Sequence, residues 1–287
     1  MSSTTVLVLG ASGMLGNAVL RLFSASPGYH VVGTVRSASA QRALPPEQRG
    51  LVLVGIDVEN SDSLTQVFAA VRPAIVINCV GVVKQLADAK DPLVALPINA
   101  LLPHRLARLC HMIGARLIHV STDCVFSGRE GNYREEHRSD ADDLYGRSKL
   151  LGEVDYPHAV TLRTSIIGHE LGSAHGLVGW FLAQQGAIKG YTHAIFSGFP
   201  TLELARIMRD VVIPRPDLKG LYHVSAAAIA KYELLRLIAE TYGKSIDIIP
   251  DGGLVIDRSL DSSRFRNETG YCPPSWPELI RSMHQFG

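Results

Sequence analysis

Val6-Leu-Val-Leu-Gly-Ala-Ser-Gly-Met-Leu-Gly16 is the stretch that decides the fold. Four consecutive apolar residues closed by glycine fit a parallel strand covered on both faces, and the apolar spacing from Met14 to Phe23 fits the helix that follows. Glycines at 10, 13 and 16 fall in the turn between them, where missing side chains let the backbone approach a pyrophosphate at the helix N-terminus. Gly10, Ser12, Gly13, Met14, Leu15 and Gly16 are therefore assigned to a dinucleotide loop, although the spacing G-x-x-G-x-x-G departs from the commoner G-x-G-x-x-G.

Working outward, the alternation repeats. Strand patterns at 30–35, 51–54, 74–80 and 116–121 are interleaved with helical patterns at 64–71 and 97–113, and a further strand spans 160–167. This rhythm predicts an α/β fold, a Rossmann-type doubly wound parallel sheet built by right-handed crossovers. After Gly168 the segments become mixed, with helices at 180–185, 202–212 and 232–242 and strands at 194–197, 220–224 and 246–249. The division is accordingly residues 1–167 for the dinucleotide and 168–287 for a smaller substrate-binding lobe, some of whose elements are expected to return to the main sheet.

Composition narrows the function. With 28 basic against 27 acidic residues and a net charge of +1, the chain lacks the electrostatic footprint of a nucleic-acid binder. Cys79, Cys110, Cys124 and Cys272 form no C-x-x-C pair, which reads as a reduced compartment, and no apolar run is long enough for a membrane span. The N-terminus carries no basic, cleavable leader, so the expectation is a cytoplasmic protein. None of the 11 histidines stands at zinc-ligand spacing, so no metal is expected.

The chemistry concentrates in Tyr145-Gly-Arg-Ser-Lys149. On a helix this spacing puts a phenol and an ammonium on one face, and a neighbouring cation is expected to lower the phenol pKa for proton transfer to a carbonyl. Thr122, at the end of the fifth strand, supplies a hydroxyl for the substrate oxygen, and Ser121 beside it is placed with the cofactor contacts. Arg36 occupies the position where an acidic residue would hold the ribose of NAD, which favours NADP and a 2′-phosphate. Asp57 and Val58 are assigned to the adenine. Cys79, Val80 and Gly81 end the fourth strand at the carboxyl edge, where ligands collect.

These motifs resemble the extended short-chain dehydrogenase/reductases and, within them, dTDP-4-dehydrorhamnose reductase and related nucleotide-sugar 4-keto reductases. The runs that carry the likeness are Val8-Leu-Gly-Ala-Ser-Gly-Met-Leu-Gly16, His119-Val-Ser-Thr-Asp-Cys-Val-Phe-Ser-Gly128, Tyr145-Gly-Arg-Ser-Lys-Leu-Leu-Gly-Glu153, Leu162-Arg-Thr-Ser165 and Gly220-Leu-Tyr-His-Val224. The resemblance implies a catalytic set of Thr122, Tyr145 and Lys149, a cofactor loop at Gly10, Gly13 and Gly16, and a supporting asparagine at Asn99, counted among the cofactor contacts. It further implies a sugar pocket involving Asp123, Cys124 and Val125, with Arg258 reaching a substrate phosphate and Trp180 in a covering segment. The implied activity is NADPH-dependent reduction of a 4-keto nucleotide sugar in deoxysugar or surface polysaccharide biosynthesis. Separately, helix faces of the doubly wound half could dimerise, so a homodimer is an expectation from the fold. Two positions depart from the rhamnose enzymes: Cys124 stands where they carry tyrosine, and Ile166 where they carry an aromatic residue. Cys124 also matches the position of an epimerising cysteine in GDP-fucose synthases, with His169, His175 and His193 as candidate partners, so an epimerase on the same fold is the alternative. A non-catalytic dinucleotide-binding regulatory subunit is the alternative of another class.

Overall fold

A computed structural model describes residues 3–84 and 87–287. β1 (Thr4–Leu9), α1 (Met14–Ser24), β2 (Tyr29–Val35), α2 (Ala38–Ala43), β3 (Val52–Val54), α3 (Ser61–Val71) and β4 (Ile75–Asn78) form the first half of the doubly wound unit. α4 (Pro92–Ala95), α5 (Leu102–Ile113), β5 (Arg116–Thr122), α6 (Leu144–Leu151) and β6 (Ala159–Thr164) complete it. Beyond lie β7 (Ile166–Ile167), α7 (Leu177–Ala183), β8 (Ala187–Phe196), β9 (Phe199–Pro200), α8 (Thr201–Arg206) and β10 (Gly220–His223). The chain ends with β11 (Ile229–Ala230), α9 (Lys231–Thr241), β12 (Asp247–Asp257), α10 (Ser263–Thr269) and α11 (Trp276–Phe286).

Seven strands make one parallel sheet in the order β10-β6-β5-β4-β1-β2-β3. β1 shows why the sequence reads as it does: Val6 and Val8 enter the apolar core on one face, Leu7 and Leu9 the core on the other. All four are fully buried, each contributing about 1.5–3 kcal/mol by removal from water. Helices α3 and α5 cover the face that Leu7 and Leu9 reach, with Leu64, Phe68, Leu102 and Leu106 in the same cluster. The order of strands reverses between β1 and β4, which opens a crevice at their carboxyl ends. β10 joins the sheet beside β6, so a strand from beyond residue 167 does return to it. β8 separately pairs with β11 antiparallel and β12 parallel in a small mixed sheet.

Three of the departures from the expected pattern have a local reason. The strand expected over 160–167 breaks at Ser165, whose carbonyl accepts Phe199 N at 2.9 Å as the chain crosses to pair β7 with β9. The helix expected from residue 97 begins at Pro92, capped by the Asp91 carboxylate, and passes Pro97 through a π-helical turn at Leu96–Leu101. β12 runs through Pro250 and Gly252-Gly253, because an irregularity between Asp251 and Val255 and its place at a sheet edge relieve the ladder of those residues. Among the described residues no helix is long and apolar enough to cross a membrane.

Candidate active site

The dinucleotide loop is built by close approach. Gly10 takes φ +81°, and a Cβ at Gly16 would lie 2.1 Å from Gly10 O, so only glycine lets the first turn of α1 close on the loop. Gly13, at the N-cap of α1, offers no side-chain cap, and the first turn holds no acidic residue. The backbone N–H groups there and the positive end of the helix dipole thus suit an anionic pyrophosphate, so the residues present fit a dinucleotide. Ser12 and Met14 are half-buried at this turn, whereas the Leu15 side chain packs in the core, which leaves only its backbone for a ligand.

The β4 end forms the opposite wall. Cys79 N donates to Leu9 O at 3.1 Å, and the Cys79 thiol is pushed up to about 12 by burial. Val80 packs partly into the core beside Leu9, while Gly81 is exposed. Asn99 is 1% exposed and spends its amide on protein: Oδ1 accepts Val82 N at 2.9 Å, and Nδ2 donates to Val82 O at 3.1 Å and Ser148 Oγ at 3.2 Å. It braces the loop after β4 against α6, a supporting part rather than the direct cofactor contact in which it was counted. Arg36 stands exposed after β2, followed by Ser37, whose hydroxyl caps α2. Asp57 is exposed after β3, with Val58 half-buried beside it.

Thr122 ends β5 and Tyr145 lies in the first turn of α6. Asp143 starts that helix, its Oδ1 accepting Gly146 N at 2.7 Å. The helix sits hard against the turn that follows β5, since a Cβ at Gly146 would lie 2.2 Å from Cys124 O and 2.6 Å from Ala141 Cβ. That contact brings the phenol to the Thr122 hydroxyl, which favours its ionised form. Thr122 itself donates to Asp123 Oδ1 at 3.2 Å and accepts Cys124 N at 3.1 Å. Lys149 is buried one turn along, its Nζ donating to Val120 O at 2.7 Å.

The electrostatics correct one expectation. The Tyr145 phenol is not lowered by Lys149 but raised, first by burial and then by the neighbouring Cys124 and Asp123. Lys149 is the group whose proton is loosened: burial brings it from 10.5 to about 8. In this state Tyr145 is a firmly protonated acid, and Lys149 is poised near neutrality.

Around this set, Asp123 is buried and its carboxyl pushed up by desolvation, against which Arg258 pulls down. The Cys124 thiol is pushed up to about 12 by burial and the Asp123 carboxyl. Arg258 donates from Nε to Phe126 O at 2.8 Å, and its charge acts on Asp123, Cys124 and Asp143 together. The Val125 side chain, expected in the sugar pocket, is instead fully buried with Phe126, Tyr133 and Leu260. Trp180 is exposed on α7, whose Val178 and Phe181 face the core. Ser121 commits its hydroxyl to the protein, donating to Glu153 Oε1 at 2.6 Å. His169 contacts the Tyr242 hydroxyl at 2.8 Å.

Sequence reasoning missed Lys84, whose Nζ meets Asp143 Oδ2 at 2.6 Å and whose charge reaches Cys124. It also missed Glu153 and Arg163 as partners of the set. Glu153 was within reach of pattern reading, since it continues the four-residue spacing of Tyr145 and Lys149.

Comparison with known proteins supplies the family and the fold. The family model of the RmlD substrate binding domain matches residues 4–250. The probable low-salt glycan biosynthesis reductase Agl14 of Haloferax volcanii is 32% identical over 297 residues, covering 96% of each chain. Methionine adenosyltransferase 2 subunit beta of Danio rerio is 28% identical, covering 85% of this chain and 76% of that protein. Among solved structures, dTDP-4-dehydrorhamnose reductase from Bacillus anthracis in complex with NADP superposes with a TM-score of 0.80 at 22% identity, covering 100% and 99% of the two chains. Bordetella bronchiseptica WbmG in complex with NAD and UDP superposes with a TM-score of 0.77 at 18% identity, covering 99% and 95%. The two structures share the fold and bind different dinucleotides, NADP in one and NAD in the other. With most of its length matched by the family model and by a relative of nearly equal extent, this chain belongs to the RmlD substrate binding domain family.

Proposed function

We propose that the protein reduces a 4-keto nucleotide sugar with NADPH, residues 1–167 holding the dinucleotide and residues 168–287 most of the sugar nucleotide. The observation that carries the reading is that α6 brings the Tyr145 phenol to Thr122 at the end of β5, with Lys149 one turn along and its ammonium on Val120 O. NADPH supplies the hydride when bound. Gly10 and Gly16 let the loop close against the first turn of α1, so that backbone N–H groups there can meet its pyrophosphate, and Arg36 offers a cation to its 2′-phosphate. Thr122 orients and polarises the ketone oxygen through its hydroxyl. Tyr145 then delivers its proton to that oxygen as negative charge develops there. A phenol held protonated by burial suits this direction, because an incipient alkoxide is basic enough to take the proton. Lys149, as an ammonium, draws the resulting phenolate charge and favours release of the proton.

The relatives named for glycan biosynthesis and for dTDP-4-dehydrorhamnose reduction support a nucleotide-sugar substrate, and Arg258 beside Asp123 offers a cation for its diphosphate. Tyr145→Phe is expected to lose about two to four decades in turnover while holding NADPH as before, since acid catalysis alone is removed. NADPH oxidation with a panel of 4-keto nucleotide sugars reads this, and near-normal turnover in the variant refutes the mechanism. The likeness to a methionine adenosyltransferase subunit keeps a second reading, a dinucleotide-binding subunit without catalysis. NADPH binding with no turnover across the panel selects it.

A further inference from the structure

Tyr145, Lys149 and Glu153 recur every fourth residue, so they project from one face of α6 and its continuation, where Glu153 N still donates to Leu150 O at 3.1 Å. The Glu153 carboxylate is completely engaged. Oε1 accepts from Ser121 Oγ at 2.6 Å and from Arg163 Nε at 2.8 Å, and Oε2 accepts from Arg163 Nη2 at 2.5 Å. Arg163 and Glu153 side chains are 3% and 11% exposed. Beyond them, Arg163 Nη1 donates to His223 Nε2 at 2.8 Å, and His223 Nδ1 donates to Tyr133 O at 2.9 Å. The network thus ties β5, β6, β10 and the end of α6 around one carboxylate.

A buried ion pair is an expensive way to pack this spot, since apolar side chains of similar volume commonly stabilise as well or better. What apolar groups would not supply is a fixed negative charge near Lys149. The groups facing Lys149 are Glu153 just beyond the end of its own helix, the protonated Cys79 thiol after β4, and His119 with the Val120 carbonyl from β5. His119 is buried and uncharged, its Nδ1 accepting from Asn78 Nδ2 at 3.2 Å. Of this set only Glu153 bears a carboxyl group.

We propose that Glu153, held by Ser121 and Arg163, is the counter-ion that keeps Lys149 an ammonium, and so acts as a positioning residue for the proton transfer at Tyr145. The proposal rests on the reading of Lys149 given above. Burial draws Lys149 down towards about 8 and Glu153 opposes it, while Arg163 is not among the groups that shift it. The same carboxylate fixes Ser121, the neighbour of Thr122, so the strand end carrying the hydroxyl and the helix carrying the ammonium are set by one side chain.

The test is a pH titration of the ligand-free protein labelled with [ε-13C]lysine, in which the Lys149 resonance is identified by its loss in Lys149→Met. Glu153→Gln keeps the shape and one acceptor oxygen but removes the charge, so the Lys149 midpoint should fall by about one pH unit. In turnover, the alkaline limb should move down equally, because the ammonium form is lost at lower pH. Should Glu153→Gln not fold with Arg163 left unpaired, Glu153→Gln/Arg163→Gln removes both buried charges and should show the same downward shift. A Lys149 midpoint unchanged in a folded variant overturns the proposal. A shifted midpoint in a protein whose wild-type form reduces no ketosugar upholds the counter-ion and refutes the proposed function instead, so the two failures are distinguishable.

Discussion

Adding a methyl group at Gly146 should slow turnover about a hundredfold while leaving NADPH binding within a few-fold of its present strength. The new Cβ would stand 2.2 Å from Cys124 O and 2.6 Å from Ala141 Cβ, where non-bonded atoms settle at about 3.5 Å. Cys124 O belongs to the backbone of the turn that ends β5 and cannot rotate aside, so α6 must withdraw by roughly 1 Å. Gly146 lies in a helix, where alanine is intrinsically better by about 1 kcal/mol, so the cost arises from the clash alone. Overpacking of this kind takes about 1–3 kcal/mol, partly offset by that propensity. The withdrawal carries Tyr145 away from Thr122, and a misplacement of about 1 Å at reacting groups is worth about a hundredfold in rate. The α1 loop, assigned to the pyrophosphate as a proposal, is untouched. Steady-state NADPH oxidation with saturating ketosugar, NADPH titration by fluorescence, and urea unfolding separate the three effects. Gly146→Ala turning over within about threefold of the parent would refute the idea that the packing of α6 on the Asp123–Val125 turn sets the catalytic geometry.

Other outcomes follow from the two walls of the crevice. Arg36→Ala should weaken NADPH by about 10- to 100-fold, the worth of a charge-assisted hydrogen bond, and leave NADH nearly unchanged; paired titrations check it, and equal effects on both cofactors would remove the 2′-phosphate assignment. Cys124→Ser should keep turnover within about threefold, because a thiol pushed up to about 12 stays protonated at neutral pH and a hydroxyl replaces it without change of charge. If product formed in deuterated water carries label at carbon 3 or 5, and that label disappears in Cys124→Ser, the protein is an epimerase as well.

The parts of this protein that could be read from the chain are those where local sequence and global fold demand the same thing. Val6–Leu9 must be apolar on both sides because the sheet is covered on both faces, and Gly10 and Gly16 must be glycine because backbone meets backbone there. Tyr145 and Lys149 are legible because four residues make one turn. What escaped was set by partners distant in sequence. Nothing near Ser165 announces that its carbonyl will take Phe199 N, and nothing near Pro250 announces that β12 lies at an edge. The direction of the Tyr145 shift was misread for the same reason: the spacing shows the ammonium but not the burial that outweighs it. Lys84 comes to Asp143 across 59 residues, and Arg163 to Glu153 across a turn and a strand. Leu15 and Val125 were assigned to a ligand by adjacency to their motifs, whereas the neighbouring core claims their side chains.

β10 has a further bearing on how the two halves live together. All six residues of β6 are buried, and this later strand seals their outer flank. A fragment cut after residue 167 would therefore bare a ladder of unpaired amides along β6, ready to stick to its own kind. The later half of the chain is thus also a selvage for the earlier one, and neither could be exchanged without rehemming the other.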